Sequence, residues 1–181
     1  MITLHTTPQG SELWHLAHKD KWSGSTATRL LQGKPLPEWG TFAGNKYTQR
    51  GKFLEPIAIR EFEVAMDAPE GVLTGGYVTN SKYPNAMFSH DGIFGDIILE
   101  VKCLNGIRHE NLIKGEIPLE YLAQIYFGMV ICELDQAKLL AFNPEYEQQL
   151  TILDIEYDKT IVDNIRDKLL CAKIEQDGHQ T

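Results

Sequence analysis

The chain has 181 residues, 43% of them hydrophobic and 23% charged, with a formal net charge of −8. Those values suit one soluble globular domain with a sizeable core. A membrane-spanning helix is not expected, because no apolar run approaches the ~20 residues that span a bilayer. Cys103, Cys132 and Cys171 are odd in number, isolated and set in apolar patterns. They read as reduced, buried thiols rather than a disulfide framework, a zinc site or an iron–sulfur site. The opening residues Met1–His5 lack the basic and apolar regions of a signal peptide, so a cytoplasmic setting is expected. The charge is polarised: residues 1–60 carry +4 and residues 61–181 carry −12. Unless folding mixes the two parts, such a chain can offer a basic face to a phosphate backbone while the rest stays acidic.

In chain order, Ser11 opens a short amphipathic helix within 11–22, with Leu13, Trp14, Leu16 and Ala17 as its apolar positions. A second turn or short helix runs from Ser25 to Leu31. Residues 33–47 hold Pro35, Pro37, Gly40 and Gly44 and read as a loop. Its Trp39, Phe42 and Tyr47, beside Lys34, Lys46 and Arg50, suit either stacking on bases or pinning the loop to the core. From about Tyr47 to Met66 the pattern is helical, with Phe53, Ile57, Ile59 and Phe62 roughly on one side. Pro56 within it fits a first turn or a kink. Strands are expected at about 72–79, 86–94 and 97–103. A largely buried helix follows over 118–132 with Pro118 at its start, then strands at 137–142 and 149–156 and an acidic helix from 158 to about 175. The order predicts an α/β fold, a central mixed β-sheet flanked by helices.

The segment Asp91-Gly92-Ile93-Phe94-Gly95-Asp96-Ile97-Ile98-Leu99-Glu100-Val101-Lys102 carries the chemistry. Gly95-Asp96 suits a two-residue hairpin turn, with glycine at the first central position. Phe94 then faces Ile97, and Asp91 faces Glu100. Opposed like charges are destabilising, and a divalent cation between them turns that repulsion into coordination by hard oxygen ligands, as Mg²⁺ or Mn²⁺ prefer. Glu100 and Lys102 are two apart and share a face of the strand, while Val101 points into the core. Asp, Glu and Lys on one edge around a cation suit hydrolysis of phosphodiesters.

Glu55, Asp91, Glu100, Lys102 and Gln124, in that order on helix, hairpin and following helix, resemble the PD-(D/E)XK nuclease superfamily. The match is closest to the YqaJ-like viral recombinases, the family of phage lambda exonuclease. Trp14 through Ser25 is similar to its Trp-x-x-x-Arg stretch ending in Ser, and Arg50-Gly51-Lys52-Phe53-Leu54-Glu55 to its Gly-Lys-x-x-Glu. Ser89-His90-Asp91-Gly92 is similar to Ser-Pro-Asp-Gly, Leu99 to Cys103 to Leu-Glu-x-Lys-Cys, and Tyr121-Leu122-Ala123-Gln124 to the start of Tyr-x-x-Gln-x-Gln. Phe142-Asn143-Pro144 closes the next strand in the family manner.

The resemblance implies a restriction-endonuclease-like core in a single domain over 1–181. Within it, 1–70 is helical and DNA-facing, 71–156 holds the catalytic sheet and helix, and 157–181 is a final helix. The implied activity is Mg²⁺- or Mn²⁺-dependent digestion of one strand of duplex DNA from its 5′ end, in single-strand-annealing recombination. Asp91, Glu100, Val101 and Glu55 are the implied metal ligands, Glu55 completing the acidic set. Lys102 orients or deprotonates water, and Gln124 positions water or a phosphate. Ser25, Ser89, His18, Lys52 and Arg50 are the implied contacts to a 5′-phosphate and the DNA. The implied partners are double-stranded DNA ends, an annealing protein, and further copies of the chain in a toroidal trimer. Three positions depart from the pattern: His18 stands for Arg, His90 for Pro and Tyr126 for the second Gln. His90 is either a nearby ligand or a surface histidine. His5, His15, His109 and His179 are scattered, without zinc spacing. The alternatives are an endonuclease or repair nuclease on the same core and a catalytically degenerate module that binds DNA ends.

Overall fold

The computed structural model describes residues 1–38, 46–68 and 71–178. Trp39, Phe42 and His179, with the side chains of Lys46 and Tyr47, lie outside the described residues. A four-stranded mixed sheet has the order β3 (Gly92–Phe94), β4 (Ile97–Lys102), β5 (Gln136–Phe142), β6 (Leu150–Ile155). Its β4–β5 pair is parallel and the other two pairs are antiparallel. Strand β4 alternates between two cores. Ile98 faces a cluster built with α2 (Ala27–Leu31), α5 (Leu119–Cys132) and α6 (Lys159–Gly178), whereas Leu99 and Val101 face α3 (Lys46–Ala65). The mixed sheet covered by helices is therefore as expected.

The hairpin register is also as read. Phe94 pairs with Ile97, Ile93 with Ile98 and Gly92 with Leu99, so the next pair outward is Asp91 and Glu100. Gly95 takes φ +57°, a conformation that costs glycine nothing and other residues 1 kcal/mol or more. Both faces of β4 are sealed up to the acid, with Ile98, Leu99 and Glu100 all 1% exposed or less.

Several expectations need correction. Helix α1 (Glu12–His18) is capped by the Ser11 hydroxyl, which accepts from Trp14 N. It stops well short of residue 22 and leaves Leu13 and Leu16 exposed. On α3 the buried side is Leu54, Ala58, Ile59 and Phe62, while Phe53 is 73% exposed and Ile57 is also exposed. Pro56 lies in the middle of that helix, not in its first turn. Among the described residues the strand expected at 72–79 is β2 (Tyr77–Asn80), which pairs with an N-terminal strand β1 (Ile2–His5) in a separate two-stranded sheet, and the one expected at 86–94 shortens to β3. Isolated bridges, Leu73 to Ile93 and Val78 to Phe88, tie this region to the rest, together with Val78 in the core and the Asn80 amide, which donates to the Ile131 carbonyl at 3.1 Å. A short α4 (Gly106–Ile113) was also unforeseen. Of the thiols, Cys132 is buried, Cys103 half-buried and Cys171 exposed.

The close approach of α5 to residue 88 sets a limit on its sequence. A Cβ at Gly128 would fall 2.5 Å from the ring of Phe88, which is fully buried and cannot yield. Gly128→Ala is expected to cost about 1–3 kcal/mol by overpacking, read as a fall in melting temperature of about 2–4 °C per kcal/mol.

Candidate active site

The acids collect at the C-terminal end of β4, where β3 has already ended and one edge of β4 is open. The amide of Val101 donates to Asp91 Oδ2 at 2.8 Å. In an extended strand a residue's N–H and C=O point the same way, so the Val101 carbonyl faces that same open edge beside Asp91. On the α5 face of the sheet, the Lys102 ammonium contacts Glu100 Oε1, bonds Gln124 Oε1 at 3.3 Å and sits 4.8 Å from the centre of the Tyr121 ring. Tyr121 precedes Gln124 by three residues, the helical spacing that puts both on one face, so the sequence motif already carried the signal for a place at the site. From the other face, α3 brings Glu55 to the same edge.

Electrostatics here are dominated by burial. Loss of water pushes Glu100 up to about 7, with Asp91 adding to the rise and Lys102 opposing it. Glu55 is pushed up to about 8, first by burial and then by the charges of Asp91 and Glu100, against Lys102 and Lys52. Asp91 is also raised by burial, although Lys102 and the Val101 amide favour its ionised form. Burial works against the charge on Lys102, yet Glu100 and Asp91 together hold its ammonium above the ordinary value. Three carboxyls thus share one ammonium, which is two positive charges too few to balance them if all ionise. Among the described residues no three His, Cys, Asp or Glu side chains gather closely enough to hold a metal ion by themselves. A cavity of about 300 Å³ opens beside Glu55 and Asp91, lined also by Ile59, Glu63, Val72 and Thr74. A larger open groove near Asp96, Glu133 and Arg166 lies at the turn end of the hairpin, away from the acids.

The remaining sequence-singled residues divide. Ser89 Oγ accepts from the indole N–H of Trp14 at 2.9 Å, and the His18 ring lies against that indole with centres 3.7 Å apart. Ser25 is exposed and its hydroxyl meets Ser23 at 3.0 Å. Its neighbour Gly24 packs so tightly on α5 that a Cβ there would come within 2.9 Å of Gln124 Cγ. His18 is 4% exposed and held near pH 4 by burial, so it offers a phosphate no positive charge at neutral pH. His90 is 2% exposed, not a surface residue, and both its ring nitrogens lack a partner among the described residues. The Tyr126 phenol turns away and donates to the Glu156 carbonyl. Lys52 is exposed. Arg50, expected on DNA, directs its guanidinium into the protein, to the Cys103 carbonyl and Asn143. The other arginines of the basic N-terminal part, Arg29 and Arg60, also have protein acceptors.

A mixed sheet with helices on both faces and an Asp…Glu-x-Lys group at the end of its second strand defines the PD-(D/E)XK class. Within that class, the model of the YqaJ-like viral recombinase domain matches residues 15–135, well over half of the chain, and the protein belongs to that family. Its fold is similar to that of LHK-Exo in complex with dAMP (TM-score 0.76, 20% identity, covering 93% of this chain and 94% of that one). A second structure, of an alkaline exonuclease (LHK-Exo) from Laribacter hongkongensis, gives 0.74 at 21% identity over 94% and 97%. A phage-related exonuclease from Haemophilus somnus 129PT gives 0.63 at 16% identity over 92% and 99%. No curated protein matches the chain. Among the described residues no helix is long and apolar enough to cross a membrane.

Proposed function

We propose that the chain is a divalent-cation-dependent exonuclease that digests one strand of double-stranded DNA from its 5′ end, in phage-type recombination by single-strand annealing. The observation that carries this is the convergence of Asp91, Glu100, Lys102 and Gln124 on one open strand end, in a member of a viral recombinase family. The donor set fits Mg²⁺ or Mn²⁺: two crowded carboxylates whose ionisation the protein disfavours, beside an outward-facing backbone carbonyl, all hard oxygens. Asp91, Glu100 and Val101 would hold the ion, with water completing its shell and Glu55 within reach of its charge. A bound cation supplies Lewis acidity at the phosphoryl oxygen and makes a nearby water easier to deprotonate.

The chain's own residues do the rest. Lys102, held protonated by two acids, acts as a fixed cation for the charge that develops on the phosphoryl group rather than as a base. Gln124 and Tyr121 restrict where that ammonium sits. Glu55, raised to about 8 by burial and its acidic neighbours, holds a proton at neutral pH and gives it up as pH rises or as a cation binds beside it. Ser89, oriented by Trp14, and the exposed Ser25 flank the site where a terminal phosphate would lie, with Lys52 as the nearby exposed cation. The reading extends to DNA ends as the substrate, a ring of three copies, an annealing protein as partner, and action in the cytoplasm of a bacterial or phage-infected cell.

One gel tests it, with 5′-phosphorylated linear, 5′-hydroxyl linear and covalently closed circular duplexes, each with Mg²⁺ or EDTA. Linear DNA is expected to shorten from its 5′ ends only with Mg²⁺, and circles to survive. With no cationic side chain at position 18, the 5′-hydroxyl duplex is expected to be cut nearly as well as the phosphorylated one. Cut circles would instead indicate an endonuclease, and intact linear DNA with Mg²⁺ a module that only binds ends.

A further inference from the structure

Helix α3 is anchored unevenly. From Leu54 onward it packs through Leu54, Ala58, Ile59 and Phe62, but Lys52 and Phe53, just before that packing begins, are exposed. Pro56 has no N–H to donate to the carbonyl of Lys52, so the helix itself ties this turn weakly to the rest. The turn that carries Lys52 and leads to Glu55 therefore depends on something outside the helix.

Arg50 supplies that tie. Its Nη1 donates to the Cys103 carbonyl at 3.0 Å and its Nη2 to Asn143 Oδ1 at 3.2 Å, with Glu145 Oε1 at 3.5 Å. Asn143 is fully buried, and its Nδ2 donates to the Leu104 carbonyl at 2.9 Å. One planar fork thus joins α3 to the segment leaving β4 directly after Lys102 and to the end of β5. Cys103 is the pivot. Its carbonyl takes Arg50, and its half-buried thiol feels the charges of Glu55, Arg50, Asp91 and Lys102, so all four lie around it.

Resting on the nuclease reading above, we propose that Arg50 is a positioning residue, which sets Glu55 on α3 against the Asp91, Glu100 and Lys102 cluster by gripping the Cys103 carbonyl and Asn143. It touches no DNA. A lysine is a single point donor and cannot hold both acceptors in the plane of a fork, so Arg50→Lys is expected to fail as Arg50→Ala does.

Three measurements on the full chain test this: duplex binding in EDTA against salt, the cleavage rate with Mg²⁺ at saturating DNA, and amide exchange along α3. In both variants affinity and its salt slope are expected to stay at the parent's values. The cleavage rate constant falls about 10–100-fold, as misplacement by an ångström can cause, with KM unchanged. Amide exchange rises over residues 49–55 but not over 58–65. Weaker binding with a salt slope smaller by about 1, at an unchanged rate, would instead make Arg50 a phosphate contact. Unchanged rate and exchange in a folded Arg50→Lys protein would equally overturn the proposal. Should the alanine variant not fold, the lysine variant decides alone. A parent protein that cleaves nothing indicts the nuclease reading only, and amide exchange still decides the role of Arg50.

Discussion

Glu100→Gln is expected to reduce cation-dependent digestion by about 10²–10³-fold or more, the scale of losing one fixed electrostatic partner at a reacting centre, while duplex binding in EDTA stays within about twofold. Glu100 is 1% exposed and sits between the Lys102 ammonium and the open edge that carries Asp91. The amide has the same shape and fills the same space, so the fold is not the casualty. The charge is lost, and with it a hard ligand and the partner that fixes Lys102. The same variant carries a stability signature of opposite sign. Because burial raises Glu100 to about 7, its ionised form is a burden to the metal-free fold, and Gln resembles the protonated acid. The variant is therefore expected to melt higher than the parent at pH 8.5 and about level with it at pH 5. Full activity in Glu100→Gln would remove the proposed ion site, and a variant that melts lower at every pH would remove the buried-charge account.

The parent protein itself should show the second effect, a cation shift in melting temperature that grows with pH. Glu100 and Glu55 have folded-state values of about 7 and 8, above the ordinary 4.5. Groups raised in the folded state bind more protons there than in the unfolded chain, so their contribution to stability is intact below about 4.5 and is lost as pH rises through 7 and 8. Glu100 alone accounts for on the order of 3 kcal/mol of that loss, or about 6–12 °C for a domain of this size. A divalent cation binds the ionised acids and must displace their protons, so its stabilisation is small at pH 5.5 and large at pH 8.5. Digestion is expected to rise over the same interval and to stop on chelation. Melting curves at the two pH values, with and without Mn²⁺, check this. Equal cation shifts at both would mean that these acids are not the ligands.

Much of the sheet was legible because its rules are local. Gly95-Asp96 fixes a two-residue turn, the turn fixes the pairing, and the pairing puts Asp91 opposite Glu100 and Glu100 on the face of Lys102. Helix α5 was legible from its apolar run and Pro118. What escaped was weakly encoded. Strand β1 has four residues and largely exposed side chains, and it exists because β2 offers it an edge. Helix α4 has eight residues and no side-chain bond from its cap Asn105. Leu13 and Leu16, apolar but exposed, show that periodicity gives a helix and not the side that packs.

The sequence by itself determined the order of the elements that carry the acids, the register of the hairpin and the shared face of Glu100 and Lys102, because turn chemistry and the two-residue period of a strand act between near neighbours. Tertiary structure decided what those side chains experience. It took His18, His90 and Asn143 out of water, turned Arg50 inward and brought Glu55 across from another helix to meet Asp91 and Glu100. Those outcomes depend on how helices pack on both faces of the sheet, and burial, which raises all three acids at the site, is a property of that packing and not of any short stretch of chain.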